Sequence, residues 1–205
     1  MLHTQTVEPI TLGLLKRLMA DEALGQFNLV GGTALSLQIG HRKSIDLDMF
    51  TQSDFEASAI LKHLTETGYE PQVTHLQKQT LIGEIQGIKV DFIRFRYPFA
   101  SDVLVVDGIR MANTKDIACM KIDAIMGRGR KKDFFDLYFL LQHFTLTDIM
   151  GWYAQMFKHS TLFHVYKSLT WFDDADLDGE IDVMDKKIKW EKVKRTIVKA
   201  VEKAI

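Results

Sequence analysis

The chain has 205 residues, 46% of them apolar and 26% charged, with a net charge of −1. This composition belongs to a folded chain with a sizeable core and excludes disorder as its main state. No apolar run approaches the ~18 residues of a membrane span, and the near-neutral charge leaves any nucleic-acid contact to a local patch. Met1 to Leu15 lacks the basic and apolar regions of a signal peptide. The single cysteine, Cys119, excludes an internal disulfide framework and fits a reducing cytoplasm.

In chain order, Leu12, Leu15, Leu18 and Met19 predict a helix from Thr11 to about Leu24. Phe27 to Val30 reads as a short strand, Gly31-Gly32 as a turn, and Thr33 as the cap of a helix over Ala34 to Ile39. A second strand is expected over Ile45 to Phe50, with Ile45, Leu47 and Met49 facing one way. A helix over Asp54 to Thr67 stops at Gly68. Gln79–Ile85 and Ile88–Phe95 form a hairpin around Gln86-Gly87. Beyond 113 the pattern becomes helical: Thr114 to about Met126, Lys131 to Phe144, 147–158, 160–169 and, after an acidic loop, Trp190 to Ala204. The division expected is a core over 1–112 and a helical domain over 113–205.

The chemistry centres on Ser44-Ile45-Asp46-Leu47-Asp48. Strand alternation puts Asp46 and Asp48 on one face, roughly 6.6–7 Å apart along the chain. Such a pair either solvates an exposed face or shares hard divalent cations, which take carboxylate and phosphate oxygens. Asp91, between Val90 and Phe92, is a third carboxylate in a strand, where aspartate is unfavourable by propensity. If its strand lies beside the first, the three converge. Upstream, Val30-Gly31-Gly32-Thr33 is strand, double glycine and helix start, a geometry that brings backbone N–H groups close to phosphate. Neither a Walker A loop nor a G-x-G-x-x-G fingerprint is present.

Gly31-Gly32-Thr33-Ala34-Leu35 followed by His41-Arg42-Lys43-Ser44-Ile45-Asp46-Leu47-Asp48 resembles the AbiEii/AbiGii toxin family of the polymerase-β-like nucleotidyltransferase superfamily. The resemblance extends to Lys121-Ile122-Asp123-Ala124 with Arg128, and to Lys132-Asp133-Phe134-Phe135-Asp136, where Lys132 stands in place of the commoner arginine. It implies an α/β (α+β) nucleotidyltransferase-fold mixed sheet with a C-terminal helical bundle that completes the active site. It implies Asp46 and Asp48 as ligands of Mg²⁺ or Mn²⁺, with Asp91 as the third carboxylate. Gly31, Gly32, Thr33, Ser44, Lys121 and Arg128 would lie near the triphosphate. Asp133, with Asp136 as runner-up, would assist catalysis.

The residues alone leave a plainer reading of the helical half. Lys121 sits on an apolar stripe, and Asp136 is crowded by apolar neighbours, so a Lys121 or Arg128 partner could be purely structural. Asp174 to Gly179 opens like an EF-hand loop, but position 12 is Asp185 rather than glutamate, which favours a structured acidic loop. Cys119 is expected in the core. The expected reaction is transfer of a nucleoside monophosphate from an NTP to a hydroxyl, with a tRNA end as leading acceptor and a neighbouring antitoxin as neutralising partner. The alternatives are an antibiotic-type small-molecule nucleotidyltransferase and a nucleotide- or RNA-binding protein without turnover.

Overall fold

Short apolar alternations build a sheet in the first half of the chain, and longer apolar stripes build helices in the second. The computed structural model describes residues 1–158 and 161–205. The chain divides into two units, Met1–Pro98 with Asp102–Ala112, and Phe99–Ser101 with Asn113–Ile205.

The first unit runs α1 (Pro9–Ala20), β1 (Asn28–Val30), α2 (Gly31–Ile39), β2 (Leu47–Thr51) and α3 (Ala57–Glu66), then β3 (Gln72–Gln77), β4 (Thr80–Ile85), β5 (Ile88–Arg94), β6 (Leu104–Val106) and β7 (Ile109–Met111). The seven strands form one mixed sheet in the order β3-β4-β5-β2-β1-β7-β6. β2 runs parallel to β5, and β1 parallel to β7. Leu47, Met49, Val90 and Phe92 are buried on one face of the central strands. Helix α1 packs on β7, α2 on β1 and β2, and α3 on β3 and β4. Phe27 meets Phe55 and Phe92 edge-on, each with ring centroids 5.1 Å apart, which adds geometric specificity to this core.

Several details of the first unit differ from the sequence reading. β2 begins at Leu47, and Ile45 is 59% exposed. Thr33 of α2 holds the Ser44 hydroxyl and the Asp46 carbonyl, and the Ser44 N–H donates to the Thr6 carbonyl, so alternation does not extend back to Ile45. Helix α2 begins directly at Gly31, with Val30 in the capping position, because the hydroxyl of Thr33 is used in a tertiary contact. β3 lies at the sheet edge with all six residues exposed, so it carries no alternating apolar signal. β6 and β7 have three residues each, too few for a periodicity to register. The hairpin between β4 and β5 turns at Gln86 and Gly87, both with positive φ, as a tight two-residue turn requires.

The second unit contains α4 (Thr114–Arg128), α5 (Lys131–Leu140), α6 (Leu146–Met156), α7 (Leu162–Leu169), α8 (Asp173–Asp176) and α9 (Trp190–Ala204). Asn113, rather than Thr114, caps α4 by accepting from the Lys115 N–H at 3.1 Å, and Gly129 ends the helix in the left-handed conformation. Helix α6 starts with a capping box of Thr145 and Asp148. Residue 160, where the fourth helix was expected to begin, lies outside the described residues. Cys119, Ile122, Leu137, Tyr153, Val193 and Ile197 are buried, and α4 packs against α5, α6 and α7. Trp190 stacks on Phe135 with centroids 5.7 Å apart, whereas Ile205 is 85% exposed. The acidic loop is a structured element: Asp176 accepts from the Trp190 indole at 2.5 Å, and Asp178 pairs with Arg130 at 2.8 Å.

Candidate active site

In the first unit the double-glycine turn and the 41–48 segment interlock side chain by side chain. Gly31 has φ +68°, and a β-carbon there would fall on Asp48 Oδ2. A β-carbon on Gly32 would fall on the guanidinium of Arg42 and approach Ser44 Oγ to 3.3 Å. The fully buried Thr33 hydroxyl donates to the Asp46 carbonyl and is hydrogen-bonded to Ser44 Oγ at 2.8 Å. Arg42, 5% exposed, donates to the Lys43 carbonyl at 2.9 Å. The two motifs are therefore one structural device. The glycines leave room for Asp48 and Arg42, and Thr33 fixes the backbone from which Asp46 projects.

The parallel pairing of β2 with β5 sets Asp48 directly beside Asp91. Both lie on the face opposite Leu47, Met49, Val90 and Phe92. Asp91 is 6% exposed, and its Oδ1 is buried with no hydrogen-bond partner. Its Oδ2 accepts from Lys89 Nζ at 2.5 Å. Burial works against the Lys89 ammonium, but the Asp91 hydrogen bond and the charges of Asp91, Asp48 and Asp46 outweigh it and raise its pKa. Lys89 thus senses all three carboxylates.

In the second unit Lys121, Arg128, Asp133 and Asp136 form a buried ion-pair network. Lys121 Nζ lies 2.8 Å from Asp133 Oδ1 and 2.6 Å from Asp136 Oδ2. Arg128 Nε reaches Asp133 Oδ2 at 3.0 Å. Both aspartates are fully buried and Lys121 is 4% exposed. Burial penalises the Asp133 charge, but Lys121 and Arg128 more than offset it and hold its carboxyl below the usual range. Lys121, expected from the resemblance to meet the triphosphate, has its ammonium committed to two carboxylates. The Arg128 side chain remains 55% exposed and lines a cavity of about 200 Å³ with Lys167, Ser168, Trp171 and Asp174.

The expected site residues thus fall into two groups. Gly31, Gly32, Thr33, Ser44, Asp46, Asp48 and Asp91 come together in the first unit, and Lys121, Arg128, Asp133 and Asp136 in the second. Sequence reasoning passed over Lys89. Its signal is its place two residues before Asp91, which on a strand means the same face. Arg42 was read only as part of a motif, although it fills the space that Gly32 leaves.

Among the described residues, no three His, Cys, Asp or Glu side chains are gathered closely enough to hold a metal ion by themselves. The donor chemistry nonetheless fits a hard divalent cation. Asp48 and Asp91 are adjacent carboxylates, Asp91 Oδ1 is an uncommitted buried oxygen, and substrate phosphate oxygens would complete the shell.

Two solved structures share this fold. One is described as a candidate nucleotidyltransferase from H. pylori, with a TM-score of 0.58, 18% identity, and coverage of 96% of this chain and 95% of that one. The other is JHP933 from Helicobacter pylori, with a TM-score of 0.58, 18% identity, and coverage of 97% and 93%. The fold is that of the nucleotidyltransferases. The sequence profile of the nucleotidyl transferase AbiEii toxin, type IV TA system, matches residues 13–110 and 104–203, and the chain belongs to that family. An uncharacterized protein of Aquifex aeolicus (strain VF5) is 35% identical over 167 residues, 78% of this chain and 81% of that protein.

Proposed function

We propose that this protein transfers a nucleoside monophosphate from an NTP to an acceptor hydroxyl, the end of a tRNA, and releases pyrophosphate. The observation that carries this reading is the register match of Asp48 with Asp91 beside the Gly31 turn. Asp46, Asp48 and Asp91 would hold Mg²⁺ or Mn²⁺, which when bound supplies Lewis-acid stabilisation of the phosphate charge. The first N–H groups of α2, at Gly31, Gly32 and Thr33, supply donors and the positive end of the helix dipole for the triphosphate.

The acceptor oxygen forms its bond to the α-phosphorus as the α–β bridging bond breaks and pyrophosphate leaves. Asp91 takes the acceptor's proton, a role that suits it better than Asp133, whose two oxygens are both committed to cations. Lys121 orders Asp133 and Asp136, and the half-exposed Arg128 guanidinium gives the helical unit a cation suited to a backbone phosphate of the acceptor. Arg128, Lys167 and the 55% exposed Trp171 line one cavity. Cations beside an open aromatic face suit an RNA strand, which favours an RNA acceptor over a small molecule. Membership in a toxin family implies a neutralising antitoxin as partner.

The test incubates the protein with each α-³²P-labelled NTP, Mg²⁺ and total tRNA, beside Asp48→Asn. Label on tRNA that disappears in the variant is the expected result. Bound NTP with no label on tRNA would overturn the tRNA assignment and move the search to other acceptors.

A further inference from the structure

Lys89 and Asp91 are two residues apart on β5 and share the sheet face that also carries Asp48. The Lys89 side chain is 48% exposed, yet its ammonium is drawn to Asp91 Oδ2 at 2.5 Å. Asp46 directly precedes Leu47, the β2 residue paired with Val90, and its charge acts on the Lys89 ammonium. The ammonium therefore holds one positive charge among the three carboxylates on which the proposed metal dependence rests. On its other side, Lys89 is the direct cross-strand partner of Glu84 on β4. Glu84 is exposed and on the same face, since its neighbours Gly83 and Ile85 are buried. Directly opposed residues have β-carbons ~4.5–5.5 Å apart, within reach of a lysine stem.

We propose that Lys89 is a built-in competitor for the divalent cation: its ammonium occupies Asp91 when no metal is bound and passes to Glu84 when one binds. The tethered charge keeps three crowded carboxylates from repelling one another in the metal-free protein. It also raises the cation concentration needed to fill the site, so the site charges only when metal and nucleotide phosphate arrive together. Glu84 makes the exchange reversible, because it gives the displaced ammonium a partner one strand away. This inference rests on the metal-dependent reading above.

The test is direct Mn²⁺ binding without turnover, following free Mn²⁺ by electron paramagnetic resonance. Lys89→Gln should bind Mn²⁺ about three- to tenfold more tightly than the unaltered protein. Lys89→Arg, which keeps the charge, should remain close to it. Glu84→Gln should weaken binding in the unaltered background and have no effect beside Lys89→Gln, because its role runs through Lys89. Unchanged or weaker binding in Lys89→Gln, or an equal Glu84→Gln effect in both backgrounds, would overturn the proposal. Asp48→Asn separates the two readings. If it abolishes Mn²⁺ binding while Lys89→Gln changes nothing, only the role of Lys89 fails. If the unaltered protein binds no Mn²⁺ at this cluster, both fail. Thermal melts of each variant show that a binding change reflects the site rather than the fold.

Discussion

The β-carbon that Gly31 lacks would come within 2.2 Å of Asp48 Oδ2. The glycine is fixed by a neighbouring carboxylate as much as by its own φ of +68°. Gly31→Ala should cost about 1–3 kcal/mol from left-handed strain and displacement of Asp48, and should abolish nucleotide transfer. Gly13, inside α1 with nothing near its missing β-carbon, is the control. Gly13→Ala should stabilise the protein by about 0.5–1 kcal/mol and leave transfer unchanged. Chemical denaturation and the tRNA-labelling assay read both.

Thr33 ties α2 to the backbone of Asp46 through a buried hydroxyl. Thr33→Val keeps the shape and leaves the Asp46 carbonyl and Ser44 hydroxyl short of a partner, at a cost of about 1–3 kcal/mol. Thr33→Ser retains the hydroxyl and should restore most of the loss. A transfer rate that falls with Val and recovers with Ser would establish the positioning role, and equal rates would remove it.

The two carboxylate groups should separate by stability. Lys121→Met leaves Asp133 and Asp136 buried with less compensating charge and should destabilise by about 3–5 kcal/mol. Asp48→Asn removes one of several crowded, part-exposed negative charges and should leave the urea midpoint unchanged or slightly higher while transfer is lost. A Lys121→Met protein of full stability would contradict the structural network described here.

Asp133 gives the protein a defined acid response. Its folded carboxyl lies below the unfolded value of ~3.9, so the unfolded chain takes up the proton first. Its stabilisation is full above that value and is lost as pH falls through the folded one. Urea midpoints should therefore drop below pH ~4, and Asp133→Asn, though less stable throughout, should flatten that part of the curve. Asp116, whose pKa is raised by burial, contributes a slope of opposite sign and is left in place in this comparison.

Cys119 is fully buried, and burial pushes its thiol up to about 12. The native protein should be inert to a thiol-specific reagent at neutral pH and react stoichiometrically once unfolded. Rapid reaction in native conditions would mean that α4 opens far more readily than its packing implies.

The sequence by itself determined the local features of this protein. It determined the helical stripes of the second half, because apolar residues recur at helical spacing whatever they pack against. It also determined the hairpin at Gln86-Gly87, which follows from local backbone geometry. The tertiary structure decided what distance along the chain conceals. Asp48 lies beside Asp91 only because β2 and β5 pair in parallel across the intervening helix and strands. Edge strand β3 forms by pairing with β4 and without a buried face, so no pattern announced it. Lys121 and Arg128 carry the charge to meet a phosphate or a carboxylate equally well. Their choice of Asp133 and Asp136 rests on burial, because a carboxylate removed from water requires a cation beside it.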